Sequence, residues 1–209
     1  MKRIIALLLT AVLCMGLFAC GESSSSGSSN STTKTTTNAD GTKTTTTTTK
    51  SGTTTTVTES TTKTDGTKEV VKTATDSKTG TVTKTETTTK TDGSKEETKT
   101  VTNKDGSSTV TETDTAADKS QEIVVTDTTA SGDVSISTST INASGTTTSA
   151  ATYEATSDNT VKLDSVESTG KTVTIPATVS AAGDKYKVTR IAAKALANNK
   201  KVTKVVIGK

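Results

Sequence analysis

The sequence is defined first by what it lacks. It has no His and no Trp, one Pro and two Cys, and aromatic residues make up 1% of its 209 positions. Without His or a spare Cys, zinc, iron–sulfur and haem sites are excluded by ligand type. A weak calcium site of carboxylate oxygens is left open. Both cysteines, Cys14 and Cys20, fall within the first twenty residues, so no disulfide framework exists. No leucine occurs between Leu17 and Leu163, and no aromatic between Phe18 and Tyr153. Thr, by contrast, makes up roughly a quarter of the chain, far above ordinary usage. Such a tract offers little apolar area to offset the entropy of ordering it.

Charge is balanced. Without Lys2 and Arg3, 23 basic residues stand against 22 acidic ones. No broad basic field and no aromatic interleaving are available for phosphate or base contacts, so no nucleic-acid partner is expected.

The N-terminus reads as an export signal. Lys2 and Arg3 precede an apolar run from Ile4 to Phe18, about the length of a signal peptide and short for a membrane span. It ends at Leu17-Phe18-Ala19-Cys20, followed at once by Gly-Glu-Ser-Ser-Ser-Ser. With Leu at −3, Ala19 at −1 and the cysteine after it, this stretch resembles the lipobox of bacterial lipoproteins. The resemblance implies cleavage after residue 19, lipid on Cys20, and a protein exported and held at the cell surface. Several acyl chains on one cysteine hold a protein on a bilayer where a single chain would not.

The expected organisation has five parts: a signal peptide over 1–19, a flexible Ser/Gly tether over 20–30, a Thr/Lys-rich repeat stalk over 31–120, a linker over 121–150, and a β module over 151–209. In the stalk, Thr62-Lys-Thr-Asp-Gly-Thr-Lys-Glu69 returns as Thr89-Lys-Thr-Asp-Gly-Ser-Lys-Glu96. Glycines at 41, 52, 66, 80, 93 and 106 punctuate it, and Gly41, Gly66, Gly93 and Gly106 each follow an Asp. Asp-Gly between β-branched runs signals a type I′ hairpin. Two readings compete here. Turn chemistry and β-propensity favour hairpin strands. Polar side chains on both faces oppose them, because isolated hairpins are marginal in water and their register is weakly specified. The expectation is a largely disordered or loosely β-hairpin stalk. As a coil the roughly 130 residues from 21 to 150 would span on the order of 60 Å. Within the linker, 121–125 and 134–137 read equally as edge strands or as less polar linker.

Short motifs in the tract carry no chemistry. Ser31–Lys34, Ser60–Lys63, Ser157-Asp158-Asn159 and Lys78-Thr79-Gly80 match pieces of the serine β-lactamase set, but in the wrong order, and two of the three motifs lie where no core is expected. Ser168-Thr-Gly-Lys-Thr172 has the ending of a phosphate-binding loop without its first glycine. Asn38–Gly41 and Asn103–Gly106 echo part of a calcium loop and read better as turns. No catalytic, cofactor-binding or metal residue is expected, and an enzyme is not.

Hydrophobic patterning appears only at the C-terminal end. Tyr153–Ala155, Val161–Leu163, Thr172–Ile175 before Pro176, Lys185–Ile191 and Val202–Ile207 read as strands, and Ala192–Ala197 as a short helical or 3₁₀ turn. The segments Val173–Val179, Gly183–Ile191, Ala195–Lys201 and Val205–Lys209 resemble the cap and first repeat of the BspA-type leucine-rich repeat family. In that family Ile-Pro ends a strand, as Ile175-Pro176 does here. Ile191-Ala192 replaces its Ile-Gly step, and Ala195-Leu196 its Ala-Phe plug. The resemblance implies a small leucine-rich-repeat-like module for adhesion or protein binding, whose partner would be a host or neighbouring-cell surface protein. The alternative is a structural or truncated lipoprotein whose stalk is the functional part.

Overall fold

The computed structural model describes residues 30–208, apart from 158 and 198; the expected signal peptide, Cys20 and the expected tether before residue 30 lie outside the described residues. Fifteen strands follow in order. They are β1 (Asn30–Thr37), β2 (Lys43–Ser51), β3 (Thr54–Thr62), β4 (Lys68–Asp76), β5 (Val82–Thr89), β6 (Lys95–Thr102), β7 (Ser108–Thr115), β8 (Gln121–Thr128), β9 (Val134–Ile141), β10 (Thr147–Ser157), β11 (Thr160–Ser168), β12 (Thr172–Ile175), β13 (Thr178–Ala181), β14 (Asp184–Ile191) and β15 (Lys204–Ile207). The first eleven form an antiparallel meander. This sheet continues through β14, parallel to β11, and ends on β13, giving thirteen strands; β12 and β15 form a separate parallel pair.

This corrects the expected fold class. The Thr-rich tract is ordered sheet, not a disordered or loosely paired stalk, and the C-terminal strands continue that same sheet instead of standing apart as a small module. The expectation weighed each hairpin as if alone. In the sheet every strand from β2 to β11 has both edges paired, so its backbone groups are satisfied on two sides. Strands β5 to β10 begin at residues 82, 95, 108, 121, 134 and 147, a 13-residue step that gives every hairpin the same length, with like positions alternating between the two faces. On the second face, Ser31–Thr49, Thr33–Thr47 and Thr35–Thr45 pair their hydroxyls across strands at 3.3, 3.1 and 3.1 Å. Cross-strand Thr pairs of this kind each contribute a few tenths of a kcal/mol, roughly. Along the sheet, ten steps of ~4.8 Å put β11 about 50 Å from β1.

The turns pin the register, and by a different device from the type I′ turn expected. Seven connections, at 38–42, 63–67, 90–94, 103–107, 116–120, 129–133 and 142–146, share one pattern. The first residue's amide donates to the fifth carbonyl, and the fourth amide donates back to the first carbonyl. Only the fourth residue has positive φ, near 80–90° where it is glycine. That is a type I turn followed by a left-handed bulge residue. In four of the seven an Asp precedes the glycine and serves the turn through its carboxylate. Asp40, Asp65, Asp92 and Asp105 accept the amide two residues on at 2.8–2.9 Å. Among the described residues, two successive positive φ values occur at Ala182-Gly183, between β13 and β14.

At 116–120 the bulge position holds Lys119, at φ 74°. A non-glycine residue there costs about 1–2 kcal/mol. Lys119→Gly is expected to raise stability by about 1 kcal/mol, read as a higher midpoint in urea; an unchanged or lower midpoint contradicts the turn assignment.

Asp40 and Asp65 are held below the ordinary 3.8 first by the backbone amide of Thr42 or Thr67. Asp92, Asp105 and Asp118 are lowered first by the hydroxyl of Ser94, Ser107 or Ser120. A lowered folded-state value stabilises above pH 3.8, and the contribution is lost as pH falls through that lowered value. The melting temperature is therefore expected to hold down to about pH 4 and fall below it. Replacing Asp92, Asp105 and Asp118 together by Ala should flatten that fall, as thermal melts from pH 5 to pH 2 would record.

The core lies wholly at the C-terminal end. Thr100, Val110, Thr126, Ile136, Tyr153 and Leu163 form one cross-strand row on the first face of the sheet. The row is buried from Thr126 onward. Over this face pack Val173 and Ile175 of β12, Val179 and Ala181 of β13, Tyr186 of β14, and Ala195. The sheet curls to bring them there: β13 approaches β8, and the Ala182 amide donates to Glu112 Oε2 of β7 at 2.8 Å. Strands β1 to β7 have no buried side chain on either face.

Within this core, Thr126 Oγ1 is buried without a hydrogen-bond partner. Leaving a buried hydroxyl unpaired costs about 1–3 kcal/mol. Thr126→Val keeps the shape and removes the hydroxyl, so it is expected to stabilise by about 1 kcal/mol in chemical unfolding; a loss of stability would show that the hydroxyl has a partner.

Candidate interaction surface at the C-terminal end

The segments that carry the leucine-rich-repeat resemblance fold as the last two strands of the sheet, β14 and β13, and as the separate pair β12 and β15. β12 ends at Ile175, where Pro176 supplies no amide to continue the ladder. Its partner β15 lies parallel, with Val173 opposite Val205 and Ile175 opposite Ile207. The span 192–197, expected as a short helical or 3₁₀ turn, is a run of turns. Ala195 donates to Ala192 and Ala197 to Lys194, each three residues back. Lys194 at φ 68° breaks the run before a helix can form. Ala195 is buried, and its carbonyl accepts the Val166 amide, tying this loop to β11. Asn199 secures it further: its side chain bonds the Val166 and Leu196 carbonyls and accepts the Ser168 amide.

Between β14 and the end of β15 runs a groove of about 240 Å³, walled by Ile175, Pro176, Val188, Ile191 and Ile207, with Arg190 as its charged residue. A second depression, of about 370 Å³, lies among turns and strands of the sheet and is polar: Lys90, Lys95, Glu96, Asp114 and Glu122 contribute to it. In it Lys90 Nζ pairs with Glu96 at 2.9 Å.

Cys20, the expected lipidation site, lies outside the described residues. The β-lactamase-like pieces are not brought together. Ser31–Lys34 lies on β1, Ser60–Lys63 at the end of β3, Lys78–Gly80 in the β4–β5 turn, and Ser157 and Asn159 flank the β10–β11 turn. In the Ser168–Thr172 loop, the Gly170 amide donates to Ser168 Oγ, so it is not free to cradle a phosphate. The calcium-like fragments are two of the seven bulged turns, their Asp carboxylates already engaged by Thr42 and Ser107. Among the described residues no group of three or more acidic or Cys side chains is placed to hold a metal ion.

Sequence reading missed β13 and the last three bulged turns. At 116–120 Lys replaces the glycine, and at 129–133 and 142–146 Ser-Gly replaces Asp-Gly. The 13-residue step, continued past Gly106, would have found them. Comparison with protein-family models, with curated proteins and with solved structures finds no match to this chain.

Proposed function

We propose that the chain is an exported lipoprotein, anchored in the membrane through lipid on Cys20, that displays a leucine-rich-repeat-like protein-binding or adhesion surface away from the bilayer. The observation that carries this reading is the polarity of the chain. The lipobox-like Leu17–Cys20 lies at one end of the sequence, and the apolar core and, among the described residues, every exposed large apolar side chain but Val57 lie toward the other. Between them the polar-faced strands β1 to β7 supply a spacer of defined length, about 34 Å over the seven steps to β8 at ~4.8 Å per strand. The role is binding, without catalysis, and the partner is a protein on a host or neighbouring cell.

Growing the native cells with labelled palmitate tests the anchor. Label on the protein that disappears in Cys20→Ser, with release of that variant from the membrane fraction, is the expected result. Unlabelled protein in the membrane, or label that survives the substitution, overturns it. A second reading, in which the sheet itself is the functional part, draws on the absence of any buried side chain from β1 to β7. Cell adhesion that survives disruption of the β14–β15 groove favours this second reading.

A further inference from the structure

Four of the five exposed large apolar residues among those described, Ile191, Val205, Val206 and Ile207, gather on β15 and the groove beside it. Val205 and Ile207 are 43% and 61% exposed, whereas their register partners on β12, Val173 and Ile175, are 3% and 2% exposed. β15 thus repeats, one strand further out, the apolar face that β12 buries. Its backbone is open in the same direction. The Lys204 and Gly208 amides donate to Lys171 and Ile175 on the β12 side. Strand alternation then turns the amides and carbonyls of Val205 and Ile207 to the side where no described strand pairs. Edges of this kind are ordinarily covered, bulged or charged, because they template the addition of another strand.

Charge selects the occupant. Between residues 184 and 208 seven Lys or Arg residues stand against one carboxylate, Asp184. Arg190 lines the groove, and its guanidinium has no ion-pair or hydrogen-bond partner among the described residues. We propose that β15 accepts an extended strand from a partner protein in which apolar side chains alternate with carboxylates. The apolar side chains cover Val205 and Ile207, a carboxylate meets Arg190, and the main chain completes the open edge. This assignment rests on the reading of the C-terminal end as a protein-binding surface.

The test titrates the peptide acetyl-Glu-Val-Thr-Val-Glu-Ile-Glu-amide into the isotope-labelled chain, following amide shifts and heat. Saturable shifts are expected at Arg190 and Val205–Gly208. Affinity should fall about tenfold or more with Ile207→Asp, with Arg190→Glu, and with the peptide carrying Lys for Glu. Ile207 is 61% exposed, so its substitution should leave the fold intact, as an unchanged circular dichroism spectrum would show. Absent binding, shifts remote from β15, or an affinity indifferent to both substitutions overturns the proposal. Sedimentation of the chain alone runs alongside: a concentration-dependent dimer lost in Ile207→Asp assigns the edge to a second copy and equally overturns it. Cell adhesion that survives Ile207→Asp removes this edge while leaving a binding role in place, which separates the two failures.

Discussion

Leu163→Ala is expected to lower the unfolding free energy by about 3 kcal/mol, within the range for truncating a fully buried leucine. Leu163 is 1% exposed at the centre of β11. Tyr153 faces it from β10 and Ile191 from β14, and its carbonyl accepts the Ala192 amide that starts the loop over the core. The consequence reaches beyond the cavity. Strands β1 to β7 bury nothing of their own, so each depends on its neighbour toward β8, as stacked units do in a quasi-one-dimensional array. Weakening the core should therefore lower the urea midpoint of the Thr-rich strands as well. A cost below about 1 kcal/mol would place the core elsewhere.

Thr85→Pro is the complementary experiment, in a strand where no side chain is buried. Thr85 is at the middle of β5, opposite Lys72 on one side and Lys99 on the other. Every amide of such an interior strand donates to one neighbour, and proline has none to give. The loss of that bond and the clash of the ring should cost about 2–4 kcal/mol locally. β1 to β4 lie beyond the break, away from the core, so they should detach while β8 to β15 stay folded. Limited proteolysis would then cut within 30–81 and spare 121–208. In a flexible stalk the same substitution would be silent, so an unaltered digestion pattern counts against the sheet.

The local grammar of the sheet was legible in the sequence, and its collective stability was not. Gly41, Gly66, Gly93 and Gly106 mark turns in the structure, although their Asp residues act through their carboxylates and not by adopting positive φ. The segments at 121–125 and 134–137, read as edge strand or linker, lie in β8 and β9, each paired on both sides. The reason is their reach: Ile136 crosses to Tyr153, and Val124 and Val134 pack against the core, which links the Thr-rich strands to the apolar end. No window of a few residues contains that link. It arises from the 13-residue step carried across six strands, and from a curl that brings Ala182 back to Glu112, seventy residues earlier. The same long-range geometry hid β13, four residues whose pattern of Thr178, Val179, Ser180 and Ala181 resembles any other part of the tract. Where the candidate surface lies was partly visible, since the strand that precedes Pro176 and the one that ends at Ile207 were both apparent. That β15 leaves its apolar face open while β12 covers its own became visible only in the paired register.

Hydrogen exchange of the backbone amides in residues 30–128 tests the central claim most directly, namely that the Thr-rich tract is one sheet held by a core at its far end. Protection should be strongest in β8, remain well above that of an unstructured chain through β5 to β7, and decline stepwise toward β1, where fraying needs the least opening. Exchange at the free-chain rate throughout 30–120, with protection confined to later residues, would contradict the account.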